Sequence, residues 1–176
     1  TQGLNEIFEK YETSGTWYAH ASVGCLHVRP ILNMKSNNDV IKMRAIAEEA
    51  FELVKKFNGS HSGEHGDGIS RSEFNPIMFG EKLTNAFREV KSLMDPNGIF
   101  NPGKIVDAPK MDDRHLFRFS PGYTVSDFKT ELDWSTWSGS SNGFQGAVEM
   151  CNNNGACRKL QGGVMCPSFR ITGEEK

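Results

Sequence analysis

The sequence is short of several features that would place it in a familiar class. It has no apolar run of the roughly eighteen residues that a membrane-spanning helix needs, and no positive start followed by an apolar core as in a signal peptide. Its net charge is −2, so it offers no basic surface for nucleic acid. Hydrophobic residues make up only 37% of the chain, which predicts a modest core and much loop. We therefore expect a cytoplasmic protein, with a peripheral position at the inner face of the membrane as the alternative.

Cysteines are few and unevenly placed. Of the four in the chain, three lie in the C-terminal tail, at Cys151, Cys157 and Cys166. A disulfide framework would spread them along the fold, so a cluster separated by glycines favours metal or cluster ligands in a reducing compartment. Cys166 precedes a proline, as in the last cysteine of a ferredoxin-type run. The spacing is equally compatible with three free thiols in a disordered tail.

The most informative segment is Gly63-Glu64-His65-Gly66-Asp67-Gly68. Two acids and a histidine lie within four residues of one another, and the glycines between them cannot build a core but allow close approach of other groups. His20 and His27 lie upstream. Imidazole nitrogens and a carboxylate oxygen suit zinc, manganese or iron(II). The alternative is that each histidine is an ordinary strand residue and that Glu64 caps a turn.

The two upstream histidines fall in a predicted hairpin. Residues 16–20 and 25–32 are rich in β-forming residues, and Ser22-Val23-Gly24 between them reads as a turn. Because His20 and His27 are seven residues apart, strand alternation alone cannot put them on one face, and the turn has to do so. His61 is a spare ligand candidate, and Cys25 is near enough to compete.

Three helices are predicted from apolar periodicity. A short helix ends near Ser14, a long one runs from about 38 to 57 with Asn37 or Asn38 as its cap, and another covers about 80–94. The segment 95–104, with the sequence DPNGIFNPGK, contains two turns and predicts a rigid elbow. Residues 107–146 show no regular pattern and are interpreted as an extended linker, anchored by aromatic residues at Phe117, Phe119, Tyr123, Trp134 and Trp137.

Three ordered motifs together resemble a known family. They are HASVGCLH at 20–27, GSHSGEHGDG at 59–68 and DPNGIFNPGK at 95–104. In order and spacing they are similar to the C-terminal domain of the FAD-linked oxidases, which include D-lactate, glycolate and D-2-hydroxyglutarate dehydrogenases of the vanillyl-alcohol-oxidase superfamily. The match covers about residues 1–106. The tail from Cys151 to Phe169 resembles the start of the iron–sulfur region fused to this domain in large bacterial members.

The resemblance implies roles for particular residues. His20, His27 and Glu64 would bind a divalent metal, zinc or manganese, and His65 would be the catalytic base that takes the hydroxyl proton of a small D-2-hydroxy acid. Asn101 would approach the flavin, and Arg71 would help to bind substrate or cofactor. Cys151, Cys157 and Cys166 would belong to a 4Fe-4S region of the full-length parent, which would pass electrons on to a quinone or membrane acceptor. Apart from the resemblance, Arg29 and Arg71 are the cations nearest these motifs in sequence, and each could bind a substrate carboxylate or be an ordinary surface arginine.

The chain departs from the family pattern at two places. The common form has Gly-Asp-Gly-Asn between the histidines, where this chain has Ser22-Val23-Gly24-Cys25, and an asparagine two residues past the second histidine is replaced by Arg29. Both changes bear on substrate identity and leave the metal ligands in place.

The expected fold is α+β, part of a ferredoxin-like cap in which helices cover one face of an antiparallel sheet. We expect residues 1–106 to be the cap, 107–146 the linker and 147–176 the truncated start of the iron–sulfur region. The chain begins at Thr1-Gln2-Gly3, without an initiator methionine. The FAD domain would precede it in the same parent chain and bind most of the FAD. We therefore expect a fragment that does not turn over substrate alone.

Two other functions fit parts of the pattern. One is an electron-transfer or cluster-binding module without chemistry of its own, in which the histidines are structural. The other is a metal-dependent hydrolase, in which a metal-bound water attacks the substrate. The elbow at 95–104 has no role in a hydrolase, and a hydrolase would work without flavin.

Overall fold

The computed structural model describes residues 1–124, 129–136, 143–151, 154–162 and 167–173. They fall into two compact units, Thr1–Tyr123 and Thr124–Lys176. The first contains helix α1 (Gln2–Lys10), strands β1 (Gly15–His20) and β2 (Cys25–Pro30), and helices α2 (Asn37–Lys56), α3 (Gly68–Arg71), α4 (Asn75–Phe79) and α5 (Glu81–Met94). Helices and an antiparallel sheet in one unit confirm the α+β class.

The predicted hairpin is present. Strands β1 and β2 pair antiparallel, with His20 opposite Cys25 and Tyr18 opposite His27. A 3-10 turn, Ala21–Val23, and Gly24 in the left-handed conformation (φ +67°) join them. A residue with a Cβ would be strained in this left-handed conformation, so glycine is suited to position 24.

A small core lies between α1, α2 and one face of the hairpin. Ile7, Phe8 and Ile46 are buried, and Trp17 and Val28 from the hairpin pack against them. The apolar residues of α1 recur at helical spacing, so a single stripe faces α2. Gly15 lets β1 approach this core closely, because a Cβ there would lie 2.4 Å from the ring of Phe8.

Helix α2 begins one residue away from the expected cap. The side chain of Ser36 accepts a hydrogen bond from the amide of Asp39, which is the ordinary N-cap geometry. The predicted caps Asn37 and Asn38 are inside the helix, so that prediction is wrong. Serine caps a helix as well as asparagine does, so the sequence alone does not distinguish Ser36 from the adjacent Asn37 and Asn38.

Three short elements follow the glycine-rich loop: α3, a 3-10 turn at Ser72–Phe74, and α4. None was predicted, because segments of three to five residues are too short to show a helical period. Phe74 from this stretch stacks on Phe51 of α2, with ring centroids 4.1 Å apart. This contact packs the stretch that follows the loop against α2.

Residues 107–123 lie in the first unit. Arg44 of α2 binds Asp112 (2.7 Å) as well as Glu73 (3.0 Å), and Lys35 lies over the rings of Phe119 (4.9 Å) and Tyr123 (5.4 Å). Two of the predicted aromatic anchors, Phe119 and Tyr123, therefore pack within the first unit.

The second unit contains helix α6 (Gly143–Glu149), a 3-10 turn at Ala156–Arg158 and helix α7 (Pro167–Thr172). Trp134 meets Phe144 edge to face at 5.3 Å. Trp137 lies outside the described residues. Within the described ranges, no helix is both long enough and apolar enough to cross a bilayer.

Candidate metal centre

The hairpin register puts both predicted histidine ligands on one face. His27 is opposite Tyr18, and Tyr18 and His20 are two residues apart on β1, so all three side chains project from the same side of the hairpin. Cys25 and Arg29 share this face by the same alternation. The opposite face, with Trp17 and Val28, is the one that packs on the core.

The glycine-rich loop crosses over this histidine face. Oε2 of Glu64 lies 2.9 Å from Nε2 of His20, and Oε1 of the same carboxylate lies 3.2 Å from Nε2 of His65. One carboxylate thus stands between an imidazole of the hairpin and an imidazole of the loop. The side chains remain partly open to solvent, with 60% of His20, 53% of His65 and 35% of Glu64 exposed.

His27 completes the group. Its ring meets that of His65 edge to face, with centroids 4.7 Å apart, and one donor atom from each of His27, Glu64 and His65 lies within 4.8 Å of the other two. Among the described residues, this is the group of three that could hold a metal ion. The predicted set had His20 in the place of His65, and both contact Glu64.

The electrostatics at His27 favour a neutral imidazole. Loss of solvent is the main cause of the lowered pKa of His27, and the guanidinium of Arg29 and the ring of His65 lower it further. Nε2 of His27 accepts a hydrogen bond from Nε of Arg29 at 3.1 Å. A neutral imidazole is the form that binds a metal, but here Arg29 engages one of its nitrogens.

The two predicted substrate arginines have different surroundings. Arg29 is exposed and its guanidinium lies 5.6 Å from the ring centroid of Tyr18, beside the metal-site histidines. Arg71 is half-buried and donates to the carbonyl of Gly66 at 2.6 Å. Arg71 therefore holds the loop in place, whereas Arg29 faces the open side of the site.

The spare candidate His61 is turned away from the donor group. Only 2% of its side chain is exposed, and its ring packs on Phe51 at 4.6 Å. Burial lowers its pKa, with Asp67 opposing the effect. Nε2 of His61 lies 3.2 Å from Oδ1 of Asp67 without a well-formed hydrogen bond. His61 thus anchors the loop to the core and does not join the site.

The close approach of loop and hairpin depends on a glycine. A Cβ at Gly63 would lie 2.4 Å from Sγ of Cys25. The sequence singled out Gly63 as flexible and Cys25 as a competing ligand. The structure shows that the two are in contact, which no local pattern could reveal.

The elbow at 95–104 is fixed by one carboxylate. Asp95 accepts from the amides of Ile99 (3.0 Å) and Phe100 (2.9 Å), and Lys91 of α5 donates to it and to the carbonyl of Phe100. The bond from Lys91 is the main cause of the lowered pKa of Asp95, and the two amides add to it. Asn101 is an exposed residue within this elbow, with φ +46°.

A groove of about 970 Å³ lies elsewhere, between α1, α2 and α4. It contains none of the predicted site residues. In the tail, Cys151 and Cys157 are exposed, and Cys166 lies outside the described residues. The part of the chain that the structure describes has no converging group of three donors in this tail.

Comparison with known proteins supports the motif-based resemblance. The family model described as "FAD linked oxidases, C-terminal domain" matches residues 1–105. The chain is 34% identical to D-2-hydroxyglutarate dehydrogenase of Escherichia coli K12, over 94% of this chain and 16% of that protein. It is 31% identical to D-lactate dehydrogenase of Archaeoglobus fulgidus, over 58% of this chain and 22% of that protein. It is 27% identical to the glycolate oxidase subunit GlcD of Bacillus subtilis, over 59% of this chain and 22% of that protein.

The chain spans about 16% of the length of the curated relatives that it matches along most of its own sequence. No solved structure matches it. The family model covers more than half of the chain and includes the hairpin, the histidine loop and the elbow. The chain therefore belongs to the FAD-linked oxidase C-terminal domain family.

Proposed function

We propose that this chain supplies the metal and substrate site of a flavin-dependent dehydrogenase that oxidises a D-2-hydroxy acid to the 2-oxo acid. The observation that carries the proposal is the meeting of His20, His27, Glu64 and His65 at one face of the hairpin. These four residues come from two separate sequence motifs. A structural role for each histidine alone would not require that they converge.

The donor set fits a divalent cation. Nitrogen donors from imidazole and an oxygen donor from a carboxylate are what zinc and manganese accept. Donor atoms of His27, Glu64 and His65 lie within 4.8 Å of one another, and Nε2 of His20 lies 2.9 Å from the carboxylate of Glu64. We propose that His20, His27 and Glu64 would hold the ion. When bound, the ion lowers the pKa of a coordinated hydroxyl and FAD accepts a hydride.

His65 is proposed as the base. It lies beside Glu64 in the loop, half exposed, where a substrate hydroxyl can reach it. Its Nε2 is 3.2 Å from Oε1 of Glu64, so the loop places this candidate base directly beside a proposed metal ligand. Arg29, on the open side, would bind the substrate carboxylate with parallel hydrogen bonds. Arg71 would act on substrate only indirectly, through the loop that it holds.

The relatives favour one substrate class. Five relatives named D-2-hydroxyglutarate dehydrogenase are 31–34% identical to the chain where they match it, against 26–31% for those named for lactate and glycolate. We therefore propose a dicarboxylic D-2-hydroxy acid such as 2-hydroxyglutarate. We also propose that Asn101 faces the flavin, that Cys151, Cys157 and Cys166 belong to a 4Fe-4S region that receives the electrons, and that the parent is cytoplasmic.

The test is metal content of the purified chain by plasma mass spectrometry. We expect about one zinc or manganese per chain, lost in Glu64→Ala and retained in His65→Asn. Glu9→Ala and His115→Asn, which remove an exposed glutamate and an exposed histidine elsewhere, are the matched controls. Equal loss in Glu64→Ala and His65→Asn would make His65 a ligand and remove it as the base.

Activity of the whole parent enzyme distinguishes the remaining functions. The His65→Asn parent should lose turnover while it keeps its metal. Hydrolysis of esters or amides by the 176-residue chain alone would instead establish the hydrolase. Iron with acid-labile sulfide, and no zinc or manganese, would establish the cluster module.

A further inference from the structure

The backbone of Ile105, directly after the elbow, is held by hydrogen bonds to two buried side chains. Its N–H donates to Oγ of Ser72 at 2.9 Å, and its carbonyl accepts from Nδ2 of Asn75 at 3.0 Å. Ser72 is 2% exposed and Asn75 is fully buried. The backbone N–H and C=O of one residue are thus both satisfied by side chains some thirty positions earlier in the chain.

Ile105 has a backbone conformation that its side chain disfavours. Its φ is +67°, in the left-handed region that β-branched residues avoid. Such a conformation persists only where the surroundings over-determine it. Here the surroundings are the two hydrogen bonds from Ser72 and Asn75 and the burial of the next residue, Val106.

The other end of this bridge is the loop that carries Glu64 and His65. The Ser72 hydroxyl, which accepts from Ile105, donates to the carbonyl of Gly68 at the end of the loop. The hydroxyl of Ser72 therefore joins the end of the loop that carries Glu64 and His65 to the backbone of Ile105.

The elbow itself is anchored at both ends. Asp95 fixes its beginning through the amides of Ile99 and Phe100, and the Ile105 peptide fixes its end. Asn101 lies between these two anchors. Ser72 therefore connects the loop at Gly68 to the segment that presents Asn101.

We infer that Ser72 and Asn75 are positioning residues, which hold the elbow carrying Asn101 at a fixed spacing from the loop carrying Glu64 and His65. This inference rests on the proposed function, in which the loop serves the metal and substrate and the elbow serves the flavin. Hydride transfer is sensitive to misplacement of about 1 Å between the reacting groups. A buried polar bridge between the two segments fixes that spacing without touching either ligand.

The test is hydrogen–deuterium exchange of the 176-residue chain, with and without Mn²⁺. In the wild type, Mn²⁺ should slow exchange both in residues 61–68 and in residues 99–105. Ser72→Ala removes only the hydroxyl that bonds both Gly68 and Ile105. In this variant, Mn²⁺ should slow exchange in residues 61–68 but not in residues 99–105. The elbow should then exchange about tenfold faster, as expected for the loss of one buried hydrogen bond.

Thr84→Val is the matched control. Thr84 is 1% exposed and its hydroxyl donates to the carbonyl of Gly80 at 3.0 Å, so this substitution also removes a buried hydroxyl, but one outside the bridge. It should behave as wild type. If Ser72→Ala fails to fold, Asn75→Ala, which removes the donor to the carbonyl of Ile105 without adding a charge, takes its place. An elbow that still responds to Mn²⁺ in these variants would overturn the inference.

Failure of the metal site has a different signature. If Mn²⁺ changes nothing in residues 61–68 of the wild type, the proposed metal site is wrong, and the metal-free comparison decides the inference. Ser72→Ala should then speed exchange in both segments, and Thr84→Val in neither. A change confined to one segment would show that Ser72 does not link them.

Discussion

Cys25 and Gly63 are in contact where the hairpin meets the histidine loop, and the contact leaves no room for a Cβ on residue 63. The nearest atom to that Cβ would be Sγ of Cys25 at 2.4 Å, and the next is Cβ of Cys25 at 3.6 Å. The obstacle is therefore a single sulfur atom. The contact joins the two elements that carry the candidate site: the hairpin with His20 and His27, and the loop with Glu64 and His65.

Gly63→Ala should weaken divalent metal binding, because the added methyl pushes the loop away from the hairpin. Overpacking of this kind costs about 1–3 kcal/mol, so the affinity measured by calorimetry with Mn²⁺ should fall roughly fivefold to a hundredfold. Cys25→Ala in the same chain should restore it, since the remaining Cβ is at ordinary contact distance. A double variant as weak as Gly63→Ala would show that the sulfur is not the cause.

Arg29→Met should raise the affinity for Mn²⁺. The guanidinium of Arg29 donates to Nε2 of His27 and so places a positive charge next to a proposed metal ligand. Removing an exposed charge of this kind is worth up to about 1 kcal/mol, and the gain should shrink at high salt. The same variant should weaken binding of a dicarboxylate to the metal-loaded chain.

Arg88→Met is the control for that experiment, because Arg88 pairs with Asp107 at 2.9 Å and does not contact the site. It should leave both affinities unchanged. Weaker Mn²⁺ binding in Arg29→Met would mean that Arg29 supports the histidine and does not compete with the ion.

Asp95 should make stability depend on acid pH. Its pKa in the folded chain is lowered by Lys91 and then by the amides of Ile99 and Phe100, below its ordinary value of 3.8. The unfolded chain therefore binds a proton before the folded chain does. The stabilisation is fully present above pH 3.8 and is lost as the pH falls through the folded-state pKa.

Urea unfolding from pH 2 to pH 6, followed by tryptophan fluorescence, measures this effect. The difference between wild type and Asp95→Asn should be constant at the upper end of the range and vanish at the lower end. Asp113→Asn, which removes the carboxylate that caps the turn at Arg114–Leu116, should not abolish the dependence that Asp95 causes. An Asp95→Asn chain with the wild-type pH profile would contradict the assignment.

Phe51→Leu should destabilise the first unit and loosen the histidine loop. Phe51 stacks on Phe74 at 4.1 Å and on His61 at 4.6 Å, so it joins α2 to both ends of the segment that bears Glu64. Loss of ring contacts in a core typically costs about 1–3 kcal/mol. Phe57→Leu on the same helix, where 74% of the side chain is exposed, should change the unfolding midpoint very little.

The hairpin, the long helices and the histidine loop could all be predicted from the sequence, because each has a local signature. The hairpin has β-forming runs around a turn, and α2 has an apolar stripe of several turns. The position of His61 could not be predicted, because its burial depends on Phe51, ten residues earlier, and on Asp67. The contact between Cys25 and Gly63 and the grip on Ile105 join residues far apart in sequence, where no periodicity applies. The metal, substrate and flavin roles of the site residues stay predictions.

The turn between the two strands tolerates changes of composition but not of length. In a paired hairpin, insertion or deletion of one residue reverses the side to which every later side chain points. His27 and Arg29 would then face the core with Trp17, and Val28 would point away from it. Substitutions at Ser22 and Val23 leave that parity intact. The amino acids of the turn can therefore differ between this chain and its relatives, provided that the number of residues in the turn is the same.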